Sequence, residues 1–75
     1  MNIKNEALIN ARKVRKWTQN KAAKRANIER STLASLETTG NLPNLKTAYK
    51  IADAYGLSVY DIFLPEYVEN IDKGE

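Results

Sequence analysis

Residues 18–37 read TQNKAAKRANIERSTLASLE, and this pattern predicts two short helices joined by a tight turn. Thr18 suits the start of the first helix, because its hydroxyl accepts a hydrogen bond from an orphan backbone N–H of the first turn. From Gln19 to Ala26 the residues Ala22, Ala23 and Ala26 recur on one face at helical spacing. Asn27 tolerates the left-handed backbone that ends a helix, and Ile28 directly after it can fold back onto the helix just finished. A second helix starts at about Glu29, with Leu33 and Leu36 pointing inward at i, i+3 spacing. Its outer face keeps Arg30, Ser31, Ala34 and Ser35. One long cation among small groups is a poor surface to bury, but it fits a DNA major groove and can touch base edges there.

The chain has 75 residues, no Cys and no His. That length supports one small core, and neither a disulfide nor a His-and-Cys metal cluster can staple it, so helix packing must hold the fold. No stretch approaches the roughly 18 to 20 apolar residues of a membrane span, and MNIKNEALIN lacks the apolar run of a secretory signal. A cytoplasmic protein is the expectation, with no membrane association, no cofactor and no metal. The net charge of +3 hides a division. Residues 1–40 hold nine cations against three acids, a balance of +6, and residues 41–75 hold three cations against six acids, a balance of −3. A basic half carrying a helical hairpin suits a protein that meets phosphates on one side, although a solvated helix face would have the same composition.

Helix 1 is expected over residues 5–16, with Ala7, Leu8, Ala11 and Val14 apolar and Lys13 and Lys16 near the negative end of its dipole. After the hairpin, Gly40 and Pro43 break the pattern, and Asn44 caps a fourth helix from about Leu45 to Tyr55 that Gly56 ends. Leu45, Ala48, Ile51, Ala52 and Tyr55 make its inward stripe. Ser58 caps a fifth helix through Val59, Ile62 and Phe63. Strand alternation, internal repeats and low-complexity segments are absent, so the fold class is all-α.

Arg12, Thr18–Gln19, Ala23, Ile28, Leu33, Leu36–Glu37, Pro43, Leu45, Ile51–Ala52, Gly56–Leu57–Ser58 and Ile62–Phe63 stand at a characteristic spacing. In this the chain resembles the Cro/cI-type (Xre-like, lambda-repressor-like) helix-turn-helix DNA-binding family over about Leu8 to Phe63. The resemblance implies a compact five-helix DNA-binding domain with the helix-turn-helix at helices 2 and 3. It divides the chain into that domain, residues 1–64, and a short C-terminal extension, residues 65–75. It further implies a structural ion pair between Arg12 and Glu37. The chain departs from the family at Asn27, where Gly is preferred, at Gly40, one residue late, and at Ala22 and Ala26, positions often filled by Leu. Those alanines thin the core. Trp17, Tyr49 and Tyr55 are larger than the usual occupants nearby and are expected to restore the volume; for Trp17 the alternative is stacking on nucleic acid.

By family position, Arg30, Ser31, Ala34 and Ser35 read bases, Arg30 matching guanine O6 and N7 with its guanidinium fork. The alternative for Arg30 is pairing with Glu29 or Glu37. Phosphate contacts fall to Thr18 and Gln19 at the positive end of helix 2, to Lys21 and Thr32, and to a polar hook of Thr38, Thr39 and Asn41 after helix 3. An ordinary polar turn is the alternative for the hook, and solvated surface for the lysines.

The expected function is a sequence-specific transcriptional regulator of double-stranded DNA, a repressor of phage or mobile-element type. Repressors of this kind bind two-fold operators as homodimers, and Tyr60, Leu64, Tyr67, Val68 and Ile71 exceed what a small core absorbs, which marks them as a dimer interface. They would otherwise cover the core of their own monomer. Enzyme chemistry is not expected without His, Cys, a Gly-rich phosphate loop or a carboxylate cluster. The rival is a protein-interaction module, such as an antitoxin or antirepressor partner, that keeps the fold and grips another protein.

Overall fold

Hydrogen-bonding side chains and left-handed residues set the helix ends. In a computed structural model that describes residues 4–63, five helices run in chain order among the described residues: α1 (Glu6–Val14), α2 (Gln19–Ala26), α3 (Arg30–Thr39), α4 (Leu45–Tyr55) and α5 (Val59–Ile62). Asn5, Thr18 and Asn44 begin α1, α2 and α4, accepting from the N–H groups of Leu8 (3.0 Å), Lys21 (3.1 Å) and Thr47 (2.8 Å). Asp61 accepts from the Ser58 N–H at 2.9 Å and closes a capping box on α5. Glu29 precedes α3 without a side-chain cap.

Three helices stop the same way. Lys16 (φ 58°), Asn27 (φ 60°) and Gly56 (φ 71°) turn left-handed after α1, α2 and α4. The next residue in each case, Trp17, Ile28 or Leu57, returns its N–H to the carbonyl of Arg12, Ala23 or Ala52. This double-bonded ending satisfies last-turn carbonyls and folds an apolar side chain back over the helix. All three of those side chains pack against the core. It also corrects the expected length of helix 1, which ends at Val14 rather than Lys16.

The core gathers Leu8, Leu33, Leu36, Ile51, Tyr55, Val59, Ile62 and Phe63 around the alanines Ala22, Ala23, Ala26, Ala48 and Ala52. Those small side chains let α2 lie against both α3 and α4. Asn5 closes the far side, its N–H donating to the Glu37 carbonyl (3.0 Å) and its Nδ2 to the Ile62 carbonyl (3.1 Å). Trp17 packs as expected, half-buried and edge-on to Tyr55 with ring centroids 5.6 Å apart.

One other packing expectation fails. Tyr49 is 54% exposed and adds nothing to the core, and Val14 is 72% exposed. Leu8, Ala11 and Arg12 take the inward positions of α1, and Arg15 follows directly after the helix; both arginines find partners there. Arg15 donates to the carbonyls of Ala11 and Tyr55 and lies over the Tyr55 ring.

Candidate nucleic-acid interface

The hairpin is anchored by a buried ion pair. Glu37 is 1% exposed, a costly place for a carboxylate unless charge and hydrogen bonds surround it. Arg12 provides both, with Nε 2.7 Å from Oε2 and Nη2 3.1 Å from Oε1, while its Nη1 donates to the Trp17 carbonyl at 2.9 Å. Hydrogen bonding to Glu37 raises the Arg12 pKa against the opposing cost of burial, so the guanidinium stays charged. Nε2 of Gln19, in the first turn of α2, donates to Oε1 of Glu37 at 3.0 Å. One carboxylate on α3 therefore ties both α1 and α2 to α3.

With its inner face held by Leu33, Leu36 and Glu37, α3 turns its other positions outward. Arg30, Ser31 and Thr32 are exposed, and Ala34 and Ser35 are partly so. The Arg30 guanidinium reaches the Oε1 of Gln19 at 3.4 Å rather than Glu29 or Glu37. At the start of α2, Thr18 and Lys21 are exposed, and the first-turn N–H groups face outward by the geometry of any helix start. The Gln19 amide is engaged at both ends, so its backbone N–H is the group left for an anion.

At the far end of α3, Thr38 and Thr39 donate back to the carbonyls of Ala34 (2.8 Å) and Ser35 (2.6 Å). The Asn41 N–H donates to the Thr39 hydroxyl (3.2 Å) and its Nδ2 to the Ser35 hydroxyl (3.4 Å). Both threonine protons are thus committed within the protein, and either hydroxyl must rotate to donate to a phosphate. The Asn41 contact joins the hook to Ser35, a link that sequence spacing does not signal.

Of the expected dimer residues, Leu64, Tyr67, Val68 and Ile71 lie outside the described residues. Tyr60 is 55% exposed and lines, with Tyr49, Leu57, Lys46, Lys50 and Asp53, an open groove of about 630 Å³ between α4 and α5. Among the described residues, no group of His, Cys, Asp and Glu is placed to hold a metal, and no helix is long and apolar enough to cross a membrane.

The profile of the helix-turn-helix family matches residues 8–62, from the core of α1 to the end of α5. The chain belongs to the helix-turn-helix family. Its fold is the all-helical, lambda-repressor-like arrangement of that family, with α2 and α3 as the hairpin. A protein of Archaeoglobus fulgidus described as an uncharacterized HTH-type transcriptional regulator is 43% identical over 56 residues, covering 75% of this chain and 79% of the relative. A second uncharacterized HTH-type transcriptional regulator, from Methanocaldococcus jannaschii, is 39% identical over 49 residues, 65% of this chain and 74% of the relative. No solved structure matches the chain. Both relatives are described as transcriptional regulators.

Proposed function

We propose that this chain is a sequence-specific, double-stranded-DNA-binding repressor of phage or mobile-element type that reads the major groove with α3. The observation that carries this reading is the outer face of α3, where exposed Arg30 stands beside the small residues Ser31, Ala34 and Ser35. A guanidinium fork matches guanine O6 and N7, and small neighbours let the helix approach the bases, with Ala34 against a thymine methyl. Thr18, the Gln19 backbone and Lys21 grip the phosphates on one side of the groove. Thr32, Thr38, Thr39 and Asn41 do so on the other. These contacts fix register, and the base contacts specify the site. Repression follows from occupying a promoter.

One such hairpin covers a half-site. The chain acts as a homodimer on a two-fold operator, joined through Tyr60 and the residues Leu64, Tyr67, Val68 and Ile71, in the cytoplasm where the DNA lies. The groove lined by Tyr49 and Tyr60 favours a second reading, an interaction module that grips a protein partner. Salt separates the two. Titrating a labelled random duplex with the chain at several salt concentrations is expected to give an affinity that falls with salt, each Lys or Arg on a phosphate adding about −0.9 to the logarithmic slope. Absence of duplex binding at low salt rejects DNA in favour of the protein partner.

A further inference from the structure

We infer that Asn41 is a positioning residue for Ser35, its amide donating to the Ser35 hydroxyl so that this hydroxyl meets DNA as a donor and discriminates against cytosine. The inference rests on the reading of α3 as the base-reading helix and adds which bases it accepts beneath Ser35. A serine hydroxyl holds one proton and two lone pairs, so by itself it reads donors and acceptors alike. Its partners remove that freedom. The Asn41 Nδ2 meets the Ser35 Oγ at 3.4 Å, the Asn41 N–H donates to the Thr39 hydroxyl at 3.2 Å, and that hydroxyl donates to the Ser35 carbonyl at 2.6 Å. The three bonds close a ring in which Ser35 accepts twice. Thr38 and Thr39 send their protons back to the carbonyl four residues earlier, but among the described residues Ser35 makes no such bond. Its proton is left for the partly exposed outer face of α3.

The consequence is a restriction on the operator. In the major groove guanine, adenine and thymine each offer an acceptor, at N7, O6 or O4, whereas cytosine offers only its N4 donor. A hydroxyl held as a donor therefore rejects cytosine on the contacted strand. At 3.4 Å in solvent the Asn41 bond is long, so it biases the hydroxyl rather than locking it. One neutral hydrogen bond shifts a preference by roughly twofold to tenfold. Asn41 keeps its place in the phosphate hook, because its amide nitrogen carries a second N–H. That contact holds every sequence equally, so the bias against cytosine is confined to the base beneath Ser35.

The test measures binding of the full chain to sites selected from a random duplex pool and to their single-base variants. Ser35→Ala, Asn41→Ala and Asn41→Asp are compared with the parent, with thermal unfolding of each. Ser35→Ala locates the position that Ser35 reads, and the parent is expected to disfavour cytosine there by roughly twofold to tenfold. Asn41→Ala releases the hydroxyl to accept as well as donate, and should cancel that bias while weakening all sites alike. Asn41→Asp should reverse it. A carboxylate only accepts, so the Ser35 hydroxyl donates to it and turns its lone pairs toward the DNA, where cytosine N4 becomes the favoured partner. A bias that survives unchanged in both Asn41 variants overturns the inference, as does a loss of preference spread over the whole site. Should the added charge abolish binding in Asn41→Asp, Asn41→Ala still decides, because Asn41 is exposed and lies outside the helices. Unchanged preferences in Ser35→Ala reject Ser35 as a reader, and with it the reading on which the inference stands.

Discussion

The Arg12 guanidinium meets the Glu37 carboxylate through two nitrogens, at 2.7 and 3.1 Å, with Glu37 almost wholly buried. A buried pair of this kind contributes little against an apolar replacement, but removing one partner leaves a charge without compensation. Arg12→Ala and Glu37→Ala are each expected to destabilise the fold by roughly 3 to 5 kcal/mol, and the double variant by less than the two losses added. A denaturant double-mutant cycle measures the coupling, and additive losses would show that the pair does not act as a unit.

Tyr55 offers the reverse case. Its hydroxyl is buried and has no hydrogen-bond partner among the described residues, and burial, reinforced by the Glu37 charge, pushes its pKa up to about 12. Removing such a hydroxyl forfeits nothing and relieves desolvation, so Tyr55→Phe is expected to be neutral or stabilising by about 1 kcal/mol at pH 7. The folded protein holds this proton more tightly than the unfolded chain. The associated stability is complete below pH 10 and declines as pH rises toward 12. Unfolding at pH 8 and pH 11 should show a smaller alkaline loss in Tyr55→Phe than in the parent, and equal losses would contradict the assignment.

Lys16 holds left-handed backbone at φ 58° with a full side chain, where glycine would be free of that strain. The left-handed conformation costs a non-glycine residue about 1 to 2 kcal/mol, and the added freedom of the unfolded chain returns part of it. Lys16→Gly should stabilise the protein by about 0.5 to 1 kcal/mol in chemical denaturation. Destabilisation would mean that the lysine side chain makes a compensating contact.

Assembly has its own test. Charged residues in place of Leu64 and Tyr67 are expected to give a folded monomer whose affinity for a two-half-site duplex falls far below the parent's, because each half-site is then held alone. Sedimentation with and without duplex reads both properties, and thermal unfolding checks the fold. A parent that sediments as a monomer at every concentration and fills both half-sites independently contradicts the dimer.

Where a structural boundary has a local cause, the sequence carried it. Thr18 and Asn27 mark the ends of α2, and Asn44 and Gly56 those of α4, because cap and left-handed residue act within a turn. The errors have distant causes. Lys16 gives no sign of the left-handed turn that shortens α1, and nothing near Val14 signals that this apolar residue is exposed while Arg12 and Arg15 turn toward the core. Their partners lie 25 residues away at Glu37 and 40 away at Tyr55. Tyr49 sits beside the α4 stripe but faces out. The same holds at the candidate site. The outer face of α3 follows from spacing, whereas the bridge from Glu37 through Gln19 to Arg30 joins residues 18 and 11 positions apart, which no local pattern signals.

The central claim is that α3 reads base sequence through Arg30, and selection of bound sequences from a random duplex pool, by the parent and by Arg30→Ala, tests it most directly. The parent is expected to recover a two-fold consensus with half-sites about 34 Å apart. Arg30→Ala should lose the preference at one position per half-site, worth roughly 1 to 3 kcal/mol, and keep weak, salt-sensitive binding. A pool that shows no enrichment with the parent, or an identical consensus with Arg30→Ala, would contradict it.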